Sequence, residues 1–147
     1  MPNRHVHFGD RTRQAALFET MILVAGADGT VTRDEVEEIY RRVFERPEFE
    51  GIHAKDLKDA IAHAAQQVAK AKDMQHILPS LASRLPDEPS RKLAFGLAAS
   101  VAMADRKTHP AELAVLKALQ EVFQIADRDV VLLFEAAESH APLPTES

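Results

Sequence analysis

The chain has 147 residues and a formal net charge of −5, with 46% hydrophobic and 28% charged residues. That length fits one domain with a sizeable buried core. The acidic balance and the lack of any Lys/Arg run exclude a nucleic-acid binder, because phosphate contacts need a basic face. The absence of cysteine excludes disulfides, thiolate zinc sites and thiol nucleophiles, and fits a reducing cytoplasm.

Residues 1–11 lack the apolar stretch of a signal peptide and read as a flexible arm. A first helix is predicted from Thr12 to Ala25, with Leu17, Met21, Val24 and Ala25 on one face and Phe18 and Ile22 on the next. A helix apolar over so much of its surface is central. AGADGTVT breaks it. A second helix starts at Thr32 and carries Val36, Ile39, Tyr40, Val43 and Phe44 at amphipathic spacing, until Pro47 and Gly51 end it. A third covers Ala54–Lys70, with Leu57, Ile61, Ala64 and Val68 inward. A fourth covers Met74–Arg84, where Pro79 either kinks the helix or begins a fresh turn.

LPDEPS reads as a loop. The fifth helix, Ser90–Ala104, contains the most apolar run of the chain. That run is too short for the ~20 residues a membrane span needs, so it is read as a buried helix. A sixth helix, Pro110–Phe123, turns Leu113, Leu116, Leu119, Val122 and Phe123 inward. A last helix follows Asp127 as N-cap and uses Val130, Val131, Leu133 and Phe134. Residues 139–147 read as a disordered tail, leaving one helical domain over 12–138.

The sequence also repeats itself. ALFETMILVAGADGTVTRDEVEEI aligns without gaps on LAFGLAASVAMADRKTHPAELAVL. Phe18 meets Phe95, Val24 meets Val101, Asp28 meets Asp105, Glu35 meets Glu112 and Ile39 meets Leu116. Each copy reads as a buried helix, an acidic turn and an amphipathic helix. The expected fold is therefore an all-α bundle of about seven helices with a pseudo-twofold pair of hairpins.

AGADGTVTRDE in the first copy and AMADRKTHPAE in the second are similar to the acidic turns of the TerB-like family, the helical domain of bacterial tellurite-resistance proteins. The resemblance covers Gln14 to Ala137. The second turn departs from the family pattern, with Arg106 where the first has Gly29. The resemblance implies an all-α fold, a part in stress or metal-ion response, no catalysis, and action as a metal-binding or protein-interaction module. A related domain precedes some membrane-anchored J-domain co-chaperones, which implies client recruitment as a further role; no J-domain is present in this sequence.

Three readings of the acidic turns stand side by side. In the first, they are helix caps: Thr32 and Glu35 form a capping box, and Pro110 and Glu112 open the sixth helix after His109. In the second, they hold metal. Asp28 with Glu35, and Asp105 with Glu112, make two candidate oxygen-ligand sites for Ca²⁺ or Mg²⁺, either as a gate or as a dedicated sensor. They are not EF-hand loops, since the sixth residue from Asp28 is Arg33 and the twelfth is Ile39. In the third, the turns meet a basic surface on another protein; a homodimer is a separate expectation, not tied to the turns. A turn rich in carboxylates repels tellurite, itself an oxyanion, so direct tellurite binding is not expected.

Other residues point to no chemistry. There is no G-x-S-x-G, no phosphate-cradling glycine pattern and no Glu-x-x-His pair, so no enzyme is expected. His5 and His7 belong to the arm. His63 and His76 are read as solvent-facing or cap-like, and Arg41-Arg42, Arg91-Lys92 and Arg106-Lys107 as solvated pairs. Phe49 is expected to pack back onto the core.

Overall fold

The computed structural model describes residues 11–27, 32–46, 53–70, 74–103, 110–139 and 143–144. These residues form seven helices: α1 (Arg11–Ala25), α2 (Arg33–Phe44), α3 (Ala54–Lys70), α4 (Met74–Arg84), α5 (Glu88–Ala102), α6 (Pro110–Phe123) and α7 (Asp127–Ser139). No strand occurs among the described residues. Phe49, His5 and His7 lie outside them.

Local chemistry sets the helix ends. At α2 the Glu35 amide donates to Thr32 Oγ1 at 3.2 Å, and the Thr32 amide donates to Glu35 Oε1 at 3.1 Å, the reciprocal pair of a capping box. At α5 the start falls at Glu88, two residues before the sequence reading. Asp87 is the N-cap, its Oδ2 accepting from the Ser90 amide at 3.1 Å and the Ser90 hydroxyl at 2.8 Å. Pro89 fits that first turn, where a missing N–H costs nothing. α4 runs unbroken through Pro79.

α6 ends in a left-handed residue that is not glycine: Gln124 has φ 57°. The Ile125 amide donates to the Gln120 carbonyl at 3.1 Å and the Gln124 amide to the Glu121 carbonyl at 3.2 Å, which makes a Schellman motif. Asp127 is not the cap of α7. The carbonyl of Ala126 receives the first amides of that helix, while Asp127 Oδ1 accepts from Gln120 Nε2 at 2.7 Å.

α1 lies in the centre, packed against α3, α4, α5 and α6. Every residue from Ala16 to Val24 is buried, so all sides of its middle turns are enclosed, as a centrally placed helix requires. α5 is nearly as enclosed, and packs against α1, α6 and α7. The first and third helices of the two halves pack alike, α1 on α3 and α5 on α7. The second helices do not: α2 lies on α3, whereas α6 lies on α5. The repeat in the sequence is thus not established as a symmetry of the fold.

Polar ties cross the bundle among the described residues. Glu19 on α1 is 5% exposed and takes a bidentate pair from Arg84 on α4, Nη1 to Oε2 and Nη2 to Oε1, both 2.8 Å. That contact holds the guanidinium further above its ordinary pKa, first through the hydrogen bond and then through the charge of Glu19, against the opposing effect of burial. Arg13 reaches Asp87 at 3.1 Å. Arg91 donates to three carbonyls, of Leu85 at 2.6 Å, Ala82 at 3.1 Å and Phe123 at 3.4 Å. It therefore joins the C-terminal ends of α4 and α6, where a cation is favoured by the helix dipole. Lys92, only 3% exposed, pairs with Glu88 at 3.0 Å and with Asp129 of α7 at 3.6 Å. The reading of Arg91-Lys92 as a solvated pair is therefore wrong.

Some expected core positions face water instead. Phe44, Leu113 and Val131 are exposed, and Val115 rather than Leu113 packs inward from α6. Within the expected tail, Leu143 is buried.

Candidate acidic pocket between the helix ends

The cavity nearest the predicted chemistry has a volume of about 70 Å³ and is lined by Ala25, Glu35, Glu38, Ile39, Arg42, Val101 and Glu112. Its composition follows from the ends of four helices. Ala25 closes α1 and Val101 is the penultimate residue of α5; Glu35 and Glu112 are each the third residue of the helix that follows, α2 and α6. Glu35 and Glu112, which the sequence reading assigned to two separate sites, therefore share one cavity. The lining is apolar at Ala25, Ile39 and Val101 and carries three carboxylates and one guanidinium, together termed its polar rim.

The rim is ordered by bonds already described and by one more. The capping box fixes Glu35 Oε1 on the Thr32 amide, so that carboxylate has a set orientation. Arg42 lies 3.6 Å from Glu38 one helical turn earlier. This pair is part-exposed and contributes little to stability. A lining with three carboxylates and one guanidinium suits hard cations or cationic side chains better than an oxyanion.

Among the described residues no three His, Asp or Glu side chains are grouped to hold a metal ion. Asp28 and Asp105, the other two predicted ligands, lie outside the described residues, as do Gly29, Thr30, Arg106 and His109. His63 and His76 are exposed, as expected.

The family model described as tellurite resistance protein TerB matches residues 14–134. The chain belongs to the TerB family. The match runs from α1 into α7 and takes in every residue that lines the cavity. No curated protein and no solved structure matches this TerB chain. No helix among its described residues is long and apolar enough to cross a membrane.

Sequence reasoning missed Glu38 and Arg42 as rim residues. A signal for them was present: Glu35, Glu38, Ile39 and Arg42 are spaced at three and four residues, so they fall on one face of α2.

Proposed function

We propose that this chain is a non-catalytic module of tellurite or stress resistance that works in the cytoplasm by binding protein partners through the acidic end of the bundle, with a divalent cation gating the contact. The observation that carries this reading is the meeting of Glu35, Glu38 and Glu112 on one cavity rim. A partner with a basic surface complements that rim, and electrostatic complementarity sets partner choice and encounter rate. Ca²⁺ or Mg²⁺ bound by Glu35 and Glu112, with Asp28 and Asp105 of the flanking turns as the other oxygen donors, would neutralise the rim and switch its preference. Membership of the TerB family supports the resistance context, and the lack of cysteine supports the cytoplasm.

Thermal melting in about 5 mM Ca²⁺ or Mg²⁺ tests the gate. A ligand at a hundredfold excess over its Kd adds about 2.7 kcal/mol, a rise of several degrees in Tm for a domain of this size. The rise is expected to vanish in the Glu35→Gln, Glu112→Gln double variant. No rise with either ion would remove the gate, and a rise that survives the double variant would move it elsewhere. Tellurite itself is expected not to bind; calorimetry showing micromolar affinity would overturn that.

A further inference from the structure

Gly96 sits in the middle of α5, in a buried stretch where glycine weakens a helix relative to alanine. Its surroundings supply a reason. A Cβ at this position would lie 2.7 Å from both δ carbons of Leu143 and 3.1 Å from its γ carbon. Leu143 belongs to the segment after α7 and is 6% exposed. Gly96 shares a face of α5 with Lys92 and Phe95, and both of these touch α7: Lys92 through Asp129, and Phe95 through an edge-on contact with Phe134 at 5.9 Å. The missing side chain thus leaves a hollow on the α7-facing side of α5, and a leucine from outside the helices fills it. In the sequence that leucine stands between Pro142 and Pro144. Flanking prolines hold a peptide extended and lower the entropy lost when it docks. Leu143 also lies beyond the residues matched by the family model, 14–134.

We propose that the hollow over Gly96 is a binding site for a leucine side chain carried on an extended, proline-flanked peptide, and that the segment after α7 occupies it as an intramolecular ligand. Only three residues lie between the end of α7 at Ser139 and Leu143. Such a short tether gives an effective concentration of order millimolar. A peptide of the same chemistry on another protein binds by displacing Leu143, so occupancy in cis sets the threshold for binding in trans.

The test uses full-length chains. In the wild type the Leu143 methyl groups are shielded from a soluble paramagnetic probe. Gly96→Ala puts a Cβ 2.7 Å from both Leu143 δ carbons, so the leucine must shift; its methyl relaxation is expected to rise towards that of an exposed leucine, with α5 remaining helical. Leu143→Ala empties the hollow without touching α5. That chain is expected to bind a synthetic peptide of residues 139–147, followed by NMR titration, at least tenfold more tightly than the wild type does. The same peptide with alanine for its leucine, or the Gly96→Ala, Leu143→Ala double variant, is expected not to bind. Leu143 methyls that stay shielded in Gly96→Ala would overturn the proposal. So would Leu143→Ala chains that show no peptide binding at millimolar concentration, or that bind no better than the wild type. None of these outcomes depends on the acidic rim, so the proposal stands or falls apart from the cation gate.

Discussion

Positions 19 and 96 align in the sequence repeat, and the fold treats them in opposite ways. On α1, Glu19 projects a carboxylate into the interior and Arg84 is drawn across from α4 to meet it. On α5, Gly96 projects nothing and Leu143 is drawn in from beyond α7. Each enclosed helix thus captures a distant segment at the same register, one by charge and the other by an absence of side chain. The two solutions carry different risks. A buried ion pair is costly to break and contributes little over an apolar pair of the same size. A seated leucine can leave without stranding a charge.

That contrast fixes the order of the expected effects. The largest is at the ion pair. Arg84→Ala leaves the Glu19 carboxylate buried and unpaired, and is expected to lower unfolding free energy by about 3 kcal/mol in urea titrations. Glu19→Ala is expected to cost less, because Arg84 retains some access to water. Replacing both together, Glu19→Leu with Arg84→Met, should recover most of the loss; if it does not, the pair contributes more than charge balance and the contrast fails.

A smaller effect separates the caps. Thr32→Ala removes the capping box of α2 and should cost about 1 kcal/mol, with hydrogen exchange rising in the first turn of α2 and not in α5. Equal loosening of both helices would show that the halves are not independently capped. The smallest effect is one of pH. Burial raises the pKa of Asp87, but hydrogen bonds from Ser90 and the charge of Arg13 outweigh it, so the carboxyl lies below its ordinary value. Its contribution is therefore complete above the ordinary carboxylate range and lost as pH falls through the lowered value. The gap in Tm between wild type and Asp87→Asn should be constant from pH 7 to about 5 and close below about pH 4. A gap that persists at pH 2 would show that packing, not charge, holds this cap.

Much of the architecture was legible because helix boundaries are local chemistry. Thr32 with Glu35, Pro110 at a first turn, and apolar residues at three- and four-residue spacing place α2, α3 and α6 correctly. What periodicity does not contain is which faces find a neighbour. Val131 was read as inward yet remains 55% exposed, because among the described residues α7 packs mainly on α5. Charged residues are harder still. Lys92 looks like any solvated lysine until Asp129 is brought to it by tertiary packing. Glu19 did leave a trace: a lone acid inside LFETMI on a helix predicted to be central needs a buried partner. The site was half legible. Glu35 and Glu112 were picked out by residue type, but their convergence depends on how α1 and α5 pack, which no spacing within either turn encodes.

The position of α1 has one more consequence. A helix enclosed by α3, α4, α5 and α6 has no face of its own to offer water, and neither half of the chain can shield it alone. The slowest-exchanging amides of the molecule should therefore lie in α1 and open only when everything opens. A sequence that reads as two copies then folds as one cooperative unit, and a cut between α3 and α4 would yield two pieces that regain structure only in each other's company.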